Sequence, residues 1–91
     1  MKCIKTTGKF RRDLKRYINY PDKLKKLYAL VELLQKGEPI PKANKPHLLS
    51  GNYRGYMECH IENDFLLIWS DEEEDAVYLV RLGSHSELFG V

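Results

Sequence analysis

The chain has 91 residues, of which 43% are apolar and 31% charged, the length and composition of one small globular domain spanning residues 1–91. The formal net charge of +2 hides an uneven distribution: residues 1–30 hold ten bases and two acids, and residues 31–91 hold five bases and eleven acids. No apolar run approaches the ~20 residues of a membrane span, and the N-terminus lacks a signal-like apolar stretch, so we expect a cytoplasmic protein without membrane association.

A short strand and two amphipathic helices are predicted in the basic half. Residues 1–5 can form the strand, and Thr6 or Thr7 can cap the first helix. The apolar residues that share one face of this helix are Phe10, Leu14, Tyr17 and Ile18. Pro21 suits the first turn of the second helix and Gly37 its end. The buried stripe of that helix consists of Leu24, Leu27, Val31 and Leu34.

The acidic half predicts a loop, three strands and one helical turn. Residues 38–51 contain three prolines and are expected to form an ordered loop, followed by strands at 53–61, 65–69 and 76–82. Alternation in the first of these strands places Cys59 on one face and Glu58 and His60 on the other. The acidic run 71–75 is expected to be a solvated hairpin tip. Ser84 and Glu87 have the spacing of a capping box, which predicts a helical turn that presents His85.

The order β-α-α-β-β-β predicts an α+β fold in which two helices pack on one face of a small antiparallel sheet. The other face would then be free, and functional residues are expected there. Cys3 and Cys59 lie far apart in the sequence without a C-x-x-C motif, so we expect two reduced, partly buried thiols.

Three histidines and one aspartate are the candidate reactive groups: His47, His60, His85 and Asp64. Asp64 follows His60 across a predicted turn, and Arg81 precedes His85 by four residues. Histidines that accept and donate protons, together with a carboxylate and a guanidinium, suit acid–base cleavage of a phosphodiester. A zinc site built from the same histidines and Asp64 is the alternative, although their spacing matches no compact ligand motif.

Three segments in register carry a resemblance to a known family. They are PHLLSGNYRGY at 46–56, ECHIEND at 58–64 and RLGSHSELFG at 81–90. Together they resemble the YafQ branch of the RelE/ParE toxin superfamily, and the helical half and the length agree with it. One departure is Phe65, because family members can carry Trp after the hairpin aspartate, so the base preference can differ.

The resemblance implies the toxin of a type II toxin–antitoxin system. Such a toxin enters the ribosomal A site and cuts mRNA by metal-independent transesterification, without a cofactor, which inhibits translation. The implied partners are a ribbon-helix-helix antitoxin of the RelB/DinJ type and the ribosome carrying mRNA, with operator DNA reached only through the antitoxin complex.

The resemblance also implies roles for residues at matching positions. His85 would be the general acid, Asp64 and His60 the base side, and His47 an orienting group. Arg81 would bind the scissile phosphate, and Phe89 would stack on a base.

The basic residues have two readings. They can be a solvated helix surface, or they can contact RNA phosphates and an acidic antitoxin segment. The predicted RNA-binding set is Lys9, Arg11, Arg12, Lys15, Arg16, Lys23, Lys25, Lys26 and Arg54. The alternative function is a catalytically weak RNA- or antitoxin-binding module of the same fold, and a small structural interaction domain is a third possibility.

Overall fold

A computed structural model describes residues 1–90, which form three helices and one five-stranded sheet. In chain order the elements are β1 (Cys3–Thr6), α1 (Gly8–Lys15), α2 (Pro21–Lys36), β2 (His47–Leu48), β3 (Met57–Glu62), β4 (Phe65–Ser70), β5 (Ala76–Gly83) and α3 (His85–Phe89). The predicted α+β class is confirmed. No helix within these residues is long and apolar enough to cross a membrane.

The sheet is mixed, with the strand order β1-β5-β4-β3-β2. Three of the pairings are antiparallel: β2 with β3, β3 with β4, and β4 with β5. The fourth is parallel and joins β1 to β5, with Cys3 opposite Ala76. The prediction of a purely antiparallel sheet is therefore wrong for β1. Parallel pairing needs a long connection, which both helices and three strands provide here, and no local pattern specifies such a pairing.

The first helix begins as predicted and ends earlier. The Thr7 side chain caps it by accepting from the Phe10 N–H at 3.0 Å, and Phe10 is buried. The helix stops at Lys15, so the helical period no longer controls the following residues. Tyr17 still packs against the core, whereas Ile18 is 69% exposed, and its predicted place on the apolar face is wrong.

The second helix agrees with its prediction at both ends. Pro21 is its first residue, and Gly37 ends it in the left-handed conformation (φ 72°) that glycine adopts without a steric penalty. Leu27 and Leu34 are buried, while Leu24 and Val31 pack at the edge of the same core.

The strand predicted at 53–61 begins four residues later than the alternation indicated, at Met57. A 3-10 turn at Gly51–Tyr53 precedes it, and Gly55 (φ 90°) completes the bend into β3. The predicted loop also contains the two-residue strand β2, which pairs with Glu58 and Met57 of β3. β4 is buried except at its last residue and lies in the centre of the sheet, as predicted; the acidic run 71–75 is exposed, also as predicted.

Both sheet faces are covered in part. The main core lies between the helices and one face, and it includes Cys59 and Phe65. On the second face, Leu66 and Ile68 pack with Leu88 of α3. Partly buried residues that join this smaller cluster are Leu49, Tyr53, Tyr56 and Val80. The prediction of a wholly free second face is wrong, because α3 and the loop before β3 fold back over it.

The two cysteines are free thiols in different environments. Cys3 is exposed at the edge strand β1, and Cys59 is buried in β3. Burial raises the pKa of the Cys59 thiol to about 12, because a thiolate is poorly solvated in an apolar core. The reduced state stays a prediction; of the two thiols expected to be partly buried, only Cys59 is buried.

Candidate active site

Three histidines from separate elements meet on the second face of the sheet. His47 lies in β2, His60 in the neighbouring β3, and His85 at the start of α3. The ring centroids of His47 and His60 are 6.2 Å apart, and those of His60 and His85 are 5.6 Å apart. We call these three residues, together with Asp64, the histidine cluster. Its members are brought together as the sequence predicted.

Asp64 holds His85 from the turn between β3 and β4. Its Oδ1 accepts from the His85 backbone N–H at 2.9 Å and lies 2.6 Å from His85 Nδ1. These two hydrogen bonds keep the pKa of the Asp64 carboxyl below its usual value, so the carboxylate is ionised at neutral pH. The ionised carboxylate can only accept, so Nδ1 carries the proton and Nε2 is the nitrogen that remains for chemistry.

His47 lies between two acceptors. Its Nδ1 is 2.7 Å from the Lys45 carbonyl oxygen, and its Nε2 is 3.1 Å from Oε1 of Glu58. A carbonyl oxygen cannot donate, so Nδ1 must carry a proton. A second proton is then required between Nε2 and the carboxyl group if that contact is a hydrogen bond. The geometry thus favours two protons on the His47–Glu58 pair: one on Nδ1, and one between Nε2 and Oε1 of Glu58.

Glu58 is the site residue that the sequence did not single out. It is 3% exposed, and its Oε2 has no hydrogen-bond partner within residues 1–90. Strand alternation had already placed it on the same face as His60, which is the signal that could have identified it. A buried carboxylate is costly unless it is paired, so the contact with His47 accounts for part of its accommodation.

Arg81 is held by a buried aspartate from α1. Asp13 is 2% exposed and accepts from Nε of Arg81 at 2.7 Å, from Nη2 at 3.2 Å and from the Leu82 N–H at 3.0 Å. The remaining terminal nitrogen, Nη1, donates to the Tyr53 hydroxyl at 2.8 Å. The bonds with Asp13 raise the pKa of Arg81 further above its ordinary value. The hydrogen bonds of Arg81 in the described chain thus join it to Asp13 and Tyr53 rather than to a histidine.

Phe89 lies next to Tyr53 at the other end of α3. The two rings meet edge to face with centroids 5.7 Å apart, and Phe89 is 38% exposed. They belong to a cleft of about 500 Å³, which we call the aromatic cleft. Its lining residues are Lys9, Ser50, Gly51, Asn52, Tyr53, Leu88 and Phe89. Phe65, in contrast, is buried beneath Tyr17 in the main core and cannot stack on a base.

The predicted RNA-binding residues divide into exposed and engaged groups. Lys9, Arg12 and Arg16 line a cleft of about 180 Å³ together with Asp13 and Arg81, which we call the basic cleft. Other members of the predicted set that are exposed are Lys15, Lys25 and Arg54.

Besides Arg16, whose Nη1 lies 3.6 Å from Oδ1 of Asp13 and 3.7 Å from Oε2 of Glu87, three members of the set make contacts within the protein. Lys23 and Lys26 both form ion pairs with Glu62, which ties α2 to the end of β3. Arg11 donates to the Thr6 carbonyl oxygen at 2.9 Å. These three side chains therefore have a structural function even if they also face a partner.

Metal binding was the alternative interpretation of the histidines. Within residues 1–90, no group of three or more His, Cys, Asp or Glu side chains is arranged to hold a metal ion. Both ring nitrogens of His47 face a carbonyl or carboxylate oxygen of the protein, and Nδ1 of His85 faces the Asp64 carboxylate.

The chain matches, over residues 2–90, the bacterial toxin family YafQ of type II toxin–antitoxin systems. The chain belongs to this family. The mRNA interferase toxin YafQ of Escherichia coli strain K12 is 31% identical over 88 residues, which cover 96% of this chain and 95% of that protein. The predicted membership is confirmed.

Solved structures of this family share the fold. The E. coli DinJ–YafQ complex contains a chain with a TM-score of 0.85 and 31% identity, covering 99% of this chain and 100% of its own. A metal-bound toxin from Helicobacter pylori gives a TM-score of 0.86 and 41% identity, covering 98% of this chain and 100% of its own.

Proposed function

We propose that this YafQ-family toxin is an endoribonuclease that cleaves mRNA on the ribosome by metal-independent acid–base transesterification and thereby inhibits translation. The observation that carries this proposal is the histidine cluster, in which three imidazoles lie side by side and one of them is oriented by a carboxylate. The E. coli relative that bears the name mRNA interferase supports the same activity.

The reaction needs one group to remove a proton and another to supply one. His60 takes the proton of the 2′-hydroxyl as this oxygen forms a bond to phosphorus, while Asp64, which the resemblance puts on the base side, bonds His85 in the structure. The bond from phosphorus to the 5′-oxygen then breaks, and His85, which enters the step with protons on both ring nitrogens, gives its Nε2 proton to the leaving oxygen. The products are a 2′,3′-cyclic phosphate and a 5′-hydroxyl, so atoms and charge balance without a metal ion.

The remaining site residues suit stabilisation and binding. His47, as an imidazolium paired with Glu58, would orient RNA and offset the charge that develops on the phosphorane. Arg81 keeps N–H donors beyond those bound to Asp13 and Tyr53, and these can bind a phosphate oxygen. Phe89, exposed in the aromatic cleft, can stack on a base.

The basic cleft supports docking on RNA. Phosphate contacts position a protein without reading sequence, so Lys9, Arg12 and Arg16 suit attachment to ribosomal RNA. We further propose a ribbon-helix-helix antitoxin as the partner, with operator DNA reached only through that complex. The DinJ–YafQ complex of E. coli is the observation that supports this partner.

Expression in bacteria with mapping of mRNA ends tests the proposal. Wild type should arrest growth and cut mRNA, and His85→Ala should lose about 10²–10⁴-fold in cleavage, the usual contribution of a general acid. Lys36→Ala, a change on the far end of α2, is the matched control and should remain toxic. Equal arrest by wild type and His85→Ala would contradict the catalytic role.

Two other functions make different predictions in the same experiment. A binding module of the same fold would bind RNA or antitoxin without producing cleaved mRNA, and the loss of all three histidines would not change its binding. A metal-dependent enzyme would be inhibited by a chelator and restored by zinc, whereas acid–base cleavage by the histidine cluster continues in the presence of the chelator.

A further inference from the structure

The short helix α3 carries two of the proposed active-site residues. His85 is its first residue and Phe89 its last, and the helix has only five residues. A helix of this length does not form by itself in water, because nucleation is costly and few hydrogen bonds repay it. The contacts that dock α3 on the rest of the protein therefore decide where the His85 imidazole lies.

Two contacts fix α3 on the side of the sheet. Asp64 bonds both the backbone N–H and Nδ1 of His85, and Leu88 is buried with Leu66 and Ile68. A further set of contacts centres on Glu87, whose carboxylate reaches residues just after α1. These contacts involve no member of the histidine cluster.

Glu87 accepts two hydrogen bonds and makes one ion pair, with partners from two parts of the chain. Its Oε1 accepts from the Ser84 N–H at 2.9 Å, which completes the capping box of α3. The same oxygen accepts from the Tyr17 hydroxyl, and Oε2 lies 3.7 Å from Nη1 of Arg16. Capping alone needs only the bond from Ser84, so the contacts with Tyr17 and Arg16 serve another purpose.

Tyr17 is itself held firmly. Its ring packs on Phe65 of the main core with centroids 4.6 Å apart, and its N–H donates to the Leu14 carbonyl oxygen at 3.0 Å. Burial and the neighbouring Glu87 raise the pKa of Tyr17, and the bond from Tyr17 lowers the pKa of Glu87. A neutral hydroxyl thus donates to an ionised carboxylate, and such charge-assisted bonds are stronger than neutral ones.

The junction between β5 and α3 lies against the Glu87 carboxylate. A Cβ atom on Gly83 would lie 2.8 Å from Oε1 of Glu87, a distance that a side chain cannot adopt without displacing it. The left-handed backbone of Gly83 (φ 155°) also favours glycine at this position. Glu87 therefore lies directly against the backbone at the point where the chain turns into α3.

We propose that Tyr17 is a positioning residue of this enzyme: through its hydroxyl it anchors Glu87, and thereby α3, so that His85 is held in place against the RNA. This inference rests on the proposed ribonuclease function. It assigns a role in catalysis to the turn that follows α1, on the far side of α3 from Asp64. The hydroxyl contributes to turnover without contacting RNA.

The test removes the hydroxyl alone. Tyr17→Phe keeps the ring on Phe65, and Tyr28→Phe is the matched control, because Tyr28 is 55% exposed on α2. The expected result for Tyr17→Phe is a kcat about three- to tenfold lower at unchanged KM, the effect of one hydrogen bond. Hydrogen exchange of the Leu88 and Gly90 amides, which bond within α3, should accelerate. Tyr28→Phe should match wild type in both measurements.

Substitution of Glu87 separates positioning from general stability. Glu87→Gln keeps an acceptor for Tyr17 and Ser84 and should retain most of the wild-type kcat. Glu87→Ala removes this acceptor, so its kcat should fall as that of Tyr17→Phe does. The double variant Tyr17→Phe/Glu87→Ala should be no slower than Glu87→Ala alone, because either substitution already removes the hydrogen bond between Tyr17 and Glu87. This series also keeps the proposal testable if Tyr17→Phe folds poorly.

The outcomes distinguish this proposal from the proposed function. An active wild type together with a Tyr17→Phe variant of unchanged kcat contradicts the positioning role alone. So does faster exchange in α3 without any loss of kcat. A wild type that does not cleave RNA contradicts the ribonuclease function, and the positioning role with it.

Discussion

Glu58 is the buried carboxyl group that faces a histidine of the proposed site. His47 Nδ1 faces the Lys45 carbonyl oxygen, so a hydrogen bond between Nε2 and Glu58 requires an additional proton. We propose that this proton resides on His47 and that the pair is an imidazolium with a carboxylate. His47 is therefore suited to electrostatic stabilisation rather than to proton abstraction.

A Glu58→Gln substitution tests this assignment. A glutamine amide can donate to His47 Nε2, so the imidazole should become neutral, and RNA cleavage should fall by about tenfold or more. The ¹⁵N chemical shifts of the His47 ring report the protonation, and cleavage kinetics report the consequence. Glu32→Gln, on the exposed surface of α2, is the control. A neutral His47 in the wild type would contradict the assignment.

Among the elements, α2 and β3 are joined by a small ion-pair network. Lys23 and Lys26 both bind the Glu62 carboxylate, with Nζ of Lys26 at 2.8 Å from Oε2. These hydrogen bonds lower the pKa of Glu62 and raise that of Lys26. The network closes the end of β3 next to the turn that carries Asp64.

The lowered pKa of Glu62 predicts an acid-dependent stability. A carboxylate whose pKa is lower in the folded state stabilises the protein above its unfolded pKa, and this contribution is lost as the pH falls through the folded pKa. The difference in melting temperature between wild type and Glu62→Gln should therefore be largest near neutral pH and should shrink as the pH falls through the lowered pKa of Glu62. The effect is small because the ion pairs remain accessible to water, with Glu62 and Lys23 half-buried and Lys26 exposed. A difference that grows towards acid would contradict this.

The helices and central strands could be predicted because their signals are local. Thr7, Pro21 and Gly37 mark helix ends through backbone chemistry, and the apolar run of β4 indicates a central strand. Ile18 was misplaced because the helical period was extended past the true end of α1. The parallel pairing of β1 and the two-residue strand β2 depend on distant partners, which no local pattern reveals.

At the scale of the whole molecule, the uneven charge distribution acquires a spatial meaning. Part of the basic half pairs internally, through Asp13, Glu62 and Glu87. Among the cations that line the basic cleft, Arg16 belongs to this paired group, and Lys9 and Arg12 are the portion suited to RNA. The sequence could locate the basic half, but it could not show which of its cations pair with carboxylates of the protein.

The salt dependence of RNA binding tests this division. Removing a phosphate contact lowers the slope of log K against log salt by about one. Arg12→Ala should therefore weaken RNA binding at low salt and reduce the slope, whereas Lys36→Ala, which removes a cation paired with Glu32, should change neither. Binding would be measured by fluorescence anisotropy across a salt series. An unchanged slope for Arg12→Ala would contradict a phosphate contact in the basic cleft.

The members of the histidine cluster could be identified from the sequence, but their contacts could not. His47, His60 and His85 lie on three elements, and a family pattern in register was needed to join them. The clamp of Asp13 on Arg81 and the bond from Tyr17 to Glu87 each span about 70 positions of sequence, 68 and 70 respectively. Contacts of this range follow from the packing of α1 and α3 against β5, which only the folded structure provides.

The chemistry of the cleaved ends tests the central claim most directly. An mRNA bound to the ribosome would be offered to the protein with either ribose or 2′-deoxyribose at the cleaved nucleotide. The account predicts rapid cleavage of the ribose substrate to a 2′,3′-cyclic phosphate and a 5′-hydroxyl, with no cleavage of the deoxy substrate and little cleavage of either by His85→Ala. Cleavage of the deoxy substrate, or products with a 3′-hydroxyl and a 5′-phosphate, would contradict transesterification by the histidine cluster.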